Sequence, residues 1–259
     1  MIVDLHTHCL ERSRCSRISE TKLIEEAIAS GMGGLVISDH HRYVEREHLK
    51  ELQARYAPFL IFSGIEMTIP RYGIMEGEDI LLLGVYDPSF EDASRDWTYA
   101  ELYSAAKEQG GFLALCHPFR YHDSVTIDYE RMPPDAIELH SSNIGRCDAN
   151  KISALIEAIG CKAIQNSDSH YENMVGMFHM DLHNSVSSEQ ELIRELKAGH
   201  YSFGSFTHKI DLLNAKISSR EEQVHNSIAQ GLTGEEFTRT TGLWSGYYNR
   251  VTMGKSYMV

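Results

Sequence analysis

Seven apolar runs of strand length, most of them separated by stretches of helical periodicity, limit what this chain can fold into more than any other feature. They read "MIVDLH" (1–6), "GGLVISDH" (33–40), "FLIFSGIEM" (59–67), "DILLLGVY" (79–86), "FLALCHPF" (112–119), "DAIELHSS" (135–142) and "CKAIQNSDSH" (161–170). Helical stretches occupy 19–31, 46–56, 97–111, 148–160 and 188–200. In the first of these Ser19 can cap, Leu23, Ile24, Ala27 and Ile28 share one face, and Gly31 ends the helix. No helix is visible between the third and fourth runs. Runs that are continuous rather than alternating suit a parallel sheet buried on both faces. The class is α/β, as a closed barrel or an open doubly wound sheet. The polar tail, 208–259, reads as helices added outside the core.

A chain of 259 residues fits one large barrel or two modest domains. With 24 Lys+Arg against 37 Asp+Glu the formal charge is −13. A field of that sign argues against broad contact with phosphate backbones, so duplex nucleic acid is not expected as a partner. The five cysteines are scattered and lack CxxC spacing, which reads as reduced thiols. No signal sequence precedes Asp4 and no apolar run is long enough to span a membrane, so a soluble cytoplasmic protein without a membrane partner is expected. Oligomeric state is not legible.

Fourteen histidines are the compositional oddity. Their positions, with those of certain acids, give them meaning: His6 and His8, Asp39 with His40 and His41, Glu66, His117, His140, and Asp168 with His170 all stand at or just past the ends of apolar runs. In a parallel α/β fold the carboxyl ends of the strands gather at one mouth, where sites are built. His6 and His8, two apart, lean into one pocket while Thr7 points away. Carboxylates at buried strand ends, Glu66 and Asp168, require a counter-charge, and a metal cation supplies one.

With those residues assembled, the chain resembles the PHP family (polymerase and histidinol phosphatase) over roughly residues 1–200. "DLHTH" (4–8), "ISDHH" (37–41), "GIE" (64–66), "CHPFRY" (116–121) and "NSDSH" (166–170) stand in the family's order. The resemblance implies a distorted seven-stranded β/α barrel over 1–207, with 208–259 a mostly helical extension packed on it. It also implies a metal-dependent phosphoesterase holding two or three divalent ions. His6, His8, Glu66 and Asp168 would hold the first, Glu66 with His117 the second, and His40 with His170 the third. Asp39 would orient a neighbouring histidine. Zinc, manganese and iron all suit such ligands.

Two departures from the family pattern bear on the metal count. The stretch after the HxH reads "CLERSRCSR", so Cys15, Glu11 or water would complete the third site. Leu81 stands near a position where relatives carry a histidine, and His140 is the candidate to fill the vacancy. Hydrolysis of a small organic phosphate or nucleotide by metal-bound hydroxide is the expected reaction. Arg120, three residues past His117, is the expected catalytic phosphate clamp. Arg12, Arg14 and Arg17 form a basic rim that could receive a second phosphate or a short oligonucleotide. No GxSxG supports a serine nucleophile. The competing readings are a catalytically silent metal- or nucleotide-binding module, and a hydrolase of the amidohydrolase type, which lacks its usual strand-end lysine here.

Overall fold

The missing helix between the third and fourth apolar runs decides the topology. A parallel connection needs a crossover of a dozen or more residues, and the segment from 70 to 77 is shorter. β3 (Leu60–Ile69) and β4 (Glu78–Leu83) therefore pair antiparallel, Glu66 opposite Leu81 and Thr68 opposite Asp79. β4 in turn runs antiparallel to β5 (Phe112–Cys116). The structure, a computed structural model, describes residues 1–70 and 77–259.

The remaining expected strands form as β1 (Ile2–Thr7), β2 (Gly34–Ile37), β6 (Ala136–His140) and β7 (Lys162–Gln165), and β1–β2–β3 and β5–β6–β7 are parallel. Two further strands extend the sheet on the other side of β1, β8 (Phe178–Leu182) and β9 (Tyr201–Ser205), both antiparallel. The sheet is thus mixed, with nine strands among the described residues in the order β7-β6-β5-β4-β3-β2-β1-β8-β9. It nearly closes: Gln165 at the end of β7 donates its amide to the carbonyls of His179 in β8 and Gly204 in β9, at 3.0 and 2.6 Å. This is the α/β barrel expected, with two strands more than the seven runs. β9 is largely exposed and carries no continuous apolar run, as befits an antiparallel edge strand with one wet face.

Helices α1 (Glu20–Ala29), α2 (Arg46–Tyr56), α3 (Tyr99–Gln109), α4 (Ala149–Ile159) and α5 (Glu189–Ala198) cover the sheet. Inside, Val3, Leu5, Val36, Leu81, Leu83, Phe112, Ala114 and Met180 form one buried cluster with Leu192 and Leu196 of α5. Fully burying each of the Val, Leu, Phe and Met side chains stabilises by about 1.5–3 kcal/mol.

Beyond β9 come α6 (Thr207–Ala229), α7 (Gly234–Thr241) and α8 (Ser245–Thr252). Lys209 of α6, nearly buried, donates to Glu26, Ser30 and the Val175 carbonyl. Arg250 of α8 reaches Asp148, at the start of α4, at 2.6 Å. Val259 packs on Met174, Met177 and Phe178. No helix among the described residues is long and apolar enough to cross a membrane.

Candidate metal centre

Glu66, near the middle of β3, is fully buried, and its Oε2 atom has three imidazole nitrogens around it: His40 Nδ1 at 3.0 Å, His8 Nε2 at 3.1 Å and His6 Nε2 at 3.2 Å. Asp168 Oδ1 lies 3.2 Å from His8 Nε2 and 3.5 Å from His6 Nε2. Among the described residues these five atoms, His6 Nε2, His8 Nε2, His40 Nδ1, Glu66 Oε2 and Asp168 Oδ1, have no hydrogen-bond partner. Buried polar atoms are almost always satisfied. Five that converge without hydrogen-bonding geometry describe the lone pairs of a cation cage, and the donor set fits divalent zinc, manganese or iron.

Four groupings of described residues place ligand atoms close enough to share an ion: His6 with His8 and Asp168, His6 with Glu66 and His117, His8 with His40 and His170, and His40 with Glu66 and Asp79. Seven of the eight expected metal residues are thus brought together. The eighth is not. The register of β6 against β7 shifts between Glu138 and His140, and the His140 ring stacks on Phe178 with centroids 5.4 Å apart. His140 enters none of the four groupings, so it does not fill the vacancy left by Leu81.

Asp79 stands there instead. It sits two residues before Leu81 and so shares its face of β4, one step nearer the mouth. Its Oδ2 is 3.8 Å from His117 Nε2, while Oδ1 accepts from Thr68 Oγ1 at 2.5 Å. Burial, then the charge of Glu66, raises the Asp79 carboxyl above its ordinary range. Neither Cys15 nor Glu11 joins a grouping; Glu11 accepts the Glu20 amide at the start of α1.

Supporting residues aim the ligands. Glu138 Oε1 meets His6 Nδ1 at 3.1 Å and accepts from Asn166 Nδ2, while Oε2 accepts the His117 backbone amide. Asp39 accepts from Ser13 Oγ at 2.6 Å and from the Cys9 amide at 2.8 Å, and Ser13 Oγ lies 3.4 Å from His8 Nδ1. Asp39 therefore steadies His8 through Ser13. Asn143 Nδ2 donates to Asp168 Oδ2, leaving Oδ1 for the cage. Sequence reading missed Glu138 because His140 drew attention to the end of that strand; a lone acid inside an apolar run was the available signal. The Glu138→Gln variant is expected to bind metal about 10–100-fold more weakly, the usual effect of losing an orienting partner. Titration calorimetry checks this, and unchanged affinity contradicts it.

Several backbones here are held in the left-handed region that L-residues avoid: φ is 49° at Asp168, 53° at His41 and 65° at Phe119, with His117 at 23°. Such conformations cost of order 1–3 kcal/mol each and persist where surroundings enforce them.

Protonation follows burial and partners. Burial alone would lower the pKa of His8, but Asp168 and Glu66 outweigh it and raise it to about 9; His6 is raised as well, by Glu66 and Asp168 against burial. His40 and His170 go the other way, to about 3 and about 4, because burial wins. Despite burial, the neighbouring histidines hold the Glu66 and Asp168 carboxyls well below the usual carboxylate range. His8 is raised from 6.5, so in the metal-free protein its proton stabilises fully below that value and the contribution disappears as pH rises through about 9. A metal must displace that proton. Affinity is expected to tighten about tenfold from about pH 7 to about pH 8 for each proton that His6 and His8 release; calorimetry in buffers of different ionisation enthalpy checks both the slope and the proton count, and a flat response contradicts the assignment.

A cavity of about 910 Å³ opens over the cluster, bordered by His40, Asp79, His170 and Arg120. Arg12, placed on a basic rim by its sequence position, lines the cavity with its guanidinium held by Asp39 at 2.9 Å and Glu20 at 2.5 Å. Arg17 donates to the carbonyls of Arg14 and Ser16. Arg14, Arg42, Lys216 and Arg220 line the cavity.

No protein-family model matches the chain, and no curated protein matches it. Solved structures do. PsfC from Pseudomonas syringae PB-5123 superposes with a TM-score of 0.55 at 17% identity, covering 84% of this chain and 98% of that one. A two-domain protein from Bacteroides vulgatus ATCC 8482 containing a predicted PHP-like metal-dependent phosphoesterase gives 0.59 at 15% identity, over 79% of this chain and 64% of that one. Endonuclease Q, in complex with a 27-mer duplex bearing an abasic lesion at the active site, gives 0.54 at 18% identity, over 76% of this chain and 57% of that one. The chain has the PHP-type fold. The last likeness also overturns the exclusion of duplex nucleic acid drawn from net charge: a protein of this fold takes a duplex at its active site. Net charge is a whole-chain sum, whereas a polyanion responds to the local field around the site.

Proposed function

We propose that the protein is a metal-dependent phosphoesterase acting on a small organic phosphate or nucleotide. The observation that carries the reading is the convergence of five buried ligand atoms, His6 Nε2, His8 Nε2, His40 Nδ1, Glu66 Oε2 and Asp168 Oδ1, that have no hydrogen-bond partner among the described residues, beside an open cavity lined by His40, Asp79 and His170. His6, His8, Glu66 and Asp168 would hold one cation, Glu66, His117 and Asp79 a second, and His8, His40 and His170 a third. Bound divalent cations would supply Lewis acidity, bringing a water's pKa towards neutrality and offsetting the charge that develops on phosphoryl oxygens.

The chain's own residues do the rest. His40 and His170 stay neutral through the physiological range and so offer lone pairs rather than protons. Glu66 and Asp168 stay ionised, which fixes the negative charge that balances the cations. Arg120 projects into the same cavity; among the described residues its Nε has no hydrogen-bond partner, and its guanidinium remains charged. It would bind and orient phosphate oxygens. Arg120→Ala is expected to raise KM for a phosphate ester by about 10–100-fold, the loss of a charge-assisted hydrogen bond worth about 1.5–3 kcal/mol, with a smaller change in kcat.

The test of the function is hydrolysis of a panel containing sugar phosphates, nucleotides and a duplex with an abasic lesion, before and after chelation. Metal-dependent release of phosphate from a small ester supports the proposal. Turnover confined to the duplex would move the substrate class to nucleic acid, and full activity after metal removal would overturn the phosphoesterase reading.

A further inference from the structure

We propose that the cavity wall around Trp244 is a subsite for a flat, unsaturated ring in the leaving group of the phosphate ester, an inference that rests on the phosphoesterase reading of the metal centre. The cavity, about 910 Å³, lies near the upper end of volumes typical for drug-sized ligands, roughly 300–1,000 Å³. A phosphate on the metal cluster fills only a small part of it.

The protein has two tryptophans, and they are used differently. Trp97 is 8% exposed and packs edge-on against Phe90. Trp244, at the start of α8, is 41% exposed and lines the cavity. A large aromatic left open inside a concave wall is a contact surface rather than core. Three tyrosines that also line the cavity surround it: Tyr257 at 5.9 Å, Tyr247 at 6.3 Å and Tyr121 at 6.4 Å between ring centroids. Leu212, Leu213 and Ile217 of α6 add an apolar surface to the same cavity.

Aromatic walls also bind organic cations, but here that role is already taken. Guanidinium groups lie over these rings: Arg120 is 5.5 Å from Trp244, Arg220 5.3 Å from Tyr247, and Arg250 4.4 Å from Tyr257. They repel a cationic occupant and favour a neutral or anionic one. Arg120 joins the two halves of the cavity. It follows His117 by three residues and lines the cavity together with Asp79, and its guanidinium lies 5.0 Å from the Tyr121 ring and 5.5 Å from the Trp244 ring. A phosphate held between Arg120 and the cluster would put its ester substituent against Trp244.

The test compares adenosine 5′-monophosphate with ribose 5-phosphate, which share the same primary-alcohol leaving oxygen and differ in the ring. For the metal-loaded wild-type enzyme, kcat/KM is expected to be about 10-fold or more higher for the nucleotide, mainly through KM, as base stacking on an aromatic side chain predicts. The advantage should collapse in Trp244→Ala and persist in Trp244→Phe, which keeps a flat face. Hydrolysis of both esters with no ring preference, or a preference untouched in Trp244→Ala, overturns the subsite while leaving the phosphoesterase standing. If neither ester is hydrolysed, the phosphoesterase reading fails for these substrates and binding decides the subsite. In the Trp97→Phe protein, emission comes from Trp244 alone. Saturable quenching by adenosine monophosphate then supports the ring subsite, and no quenching overturns it.

Discussion

Glu66→Gln is expected to lower kcat/KM for any phosphate ester the enzyme hydrolyses by at least about 1,000-fold, equivalent to about 4 kcal/mol of transition-state stabilisation. Glu66 faces four of the ligand histidines: one carboxylate oxygen faces His6, His8 and His40, and the other lies 3.2 Å from His117. Gln preserves volume and one acceptor, so the variant should fold. What it loses is the negative charge that two cation sites share. Steady-state kinetics together with metal analysis check the result. A variant retaining near wild-type activity and metal content would mean that Glu66 is a structural acid satisfied by its histidines.

The second large effect lies outside the site. Arg250→Ala is expected to destabilise the protein by about 3–5 kcal/mol, because it removes the close partner of buried Asp148 and leaves that carboxylate only Lys255 Nζ at 3.8 Å. Both side chains are 3% exposed. The same guanidinium also donates to the carbonyls of Ser256 and Arg120. For a chain of this size that corresponds to a fall in Tm of roughly 6–20 °C. The double variant Arg250→Ala/Asp148→Asn should recover part of the loss, since the cost is mainly that of the stranded carboxylate. Calorimetry on the three proteins decides it. Equal destabilisation of single and double variants would assign the effect to the carbonyl contacts.

The ligand set was legible because catalytic residues on this architecture come from strand ends, and strand ends are visible as the close of apolar runs. His6, His8, Glu66, His117 and Asp168 follow from that rule, and the structure brings them together. The rule fails where its premise does. β4 runs antiparallel, so its amino end, not its carboxyl end, lies at the mouth, and Asp79 at the head of the "DILLLG" run escaped notice for that reason. His140 was misplaced by the opposite error: it is at a carboxyl end, but a register shift in β6 gives the interior to Glu138. Arg12 sits where a phosphate clamp would be useful, yet it is consumed by Asp39 and Glu20. Sequence shows a charge and its distance along the chain, not which acid will claim it. β9 was invisible because an antiparallel strand with a wet face carries no continuous apolar run, and buried β8 because His179 and Asp181 interrupt its apolar residues.

The anomalous difference map of a crystal grown with a divalent transition metal is the most direct measurement of the central claim. Strong peaks are expected within coordination distance, about 2.0–2.2 Å, of His6, His8, Glu66 and Asp168, and of His117, Glu66 and Asp79. A map without density between those side chains, in a protein saturated with metal, would contradict it.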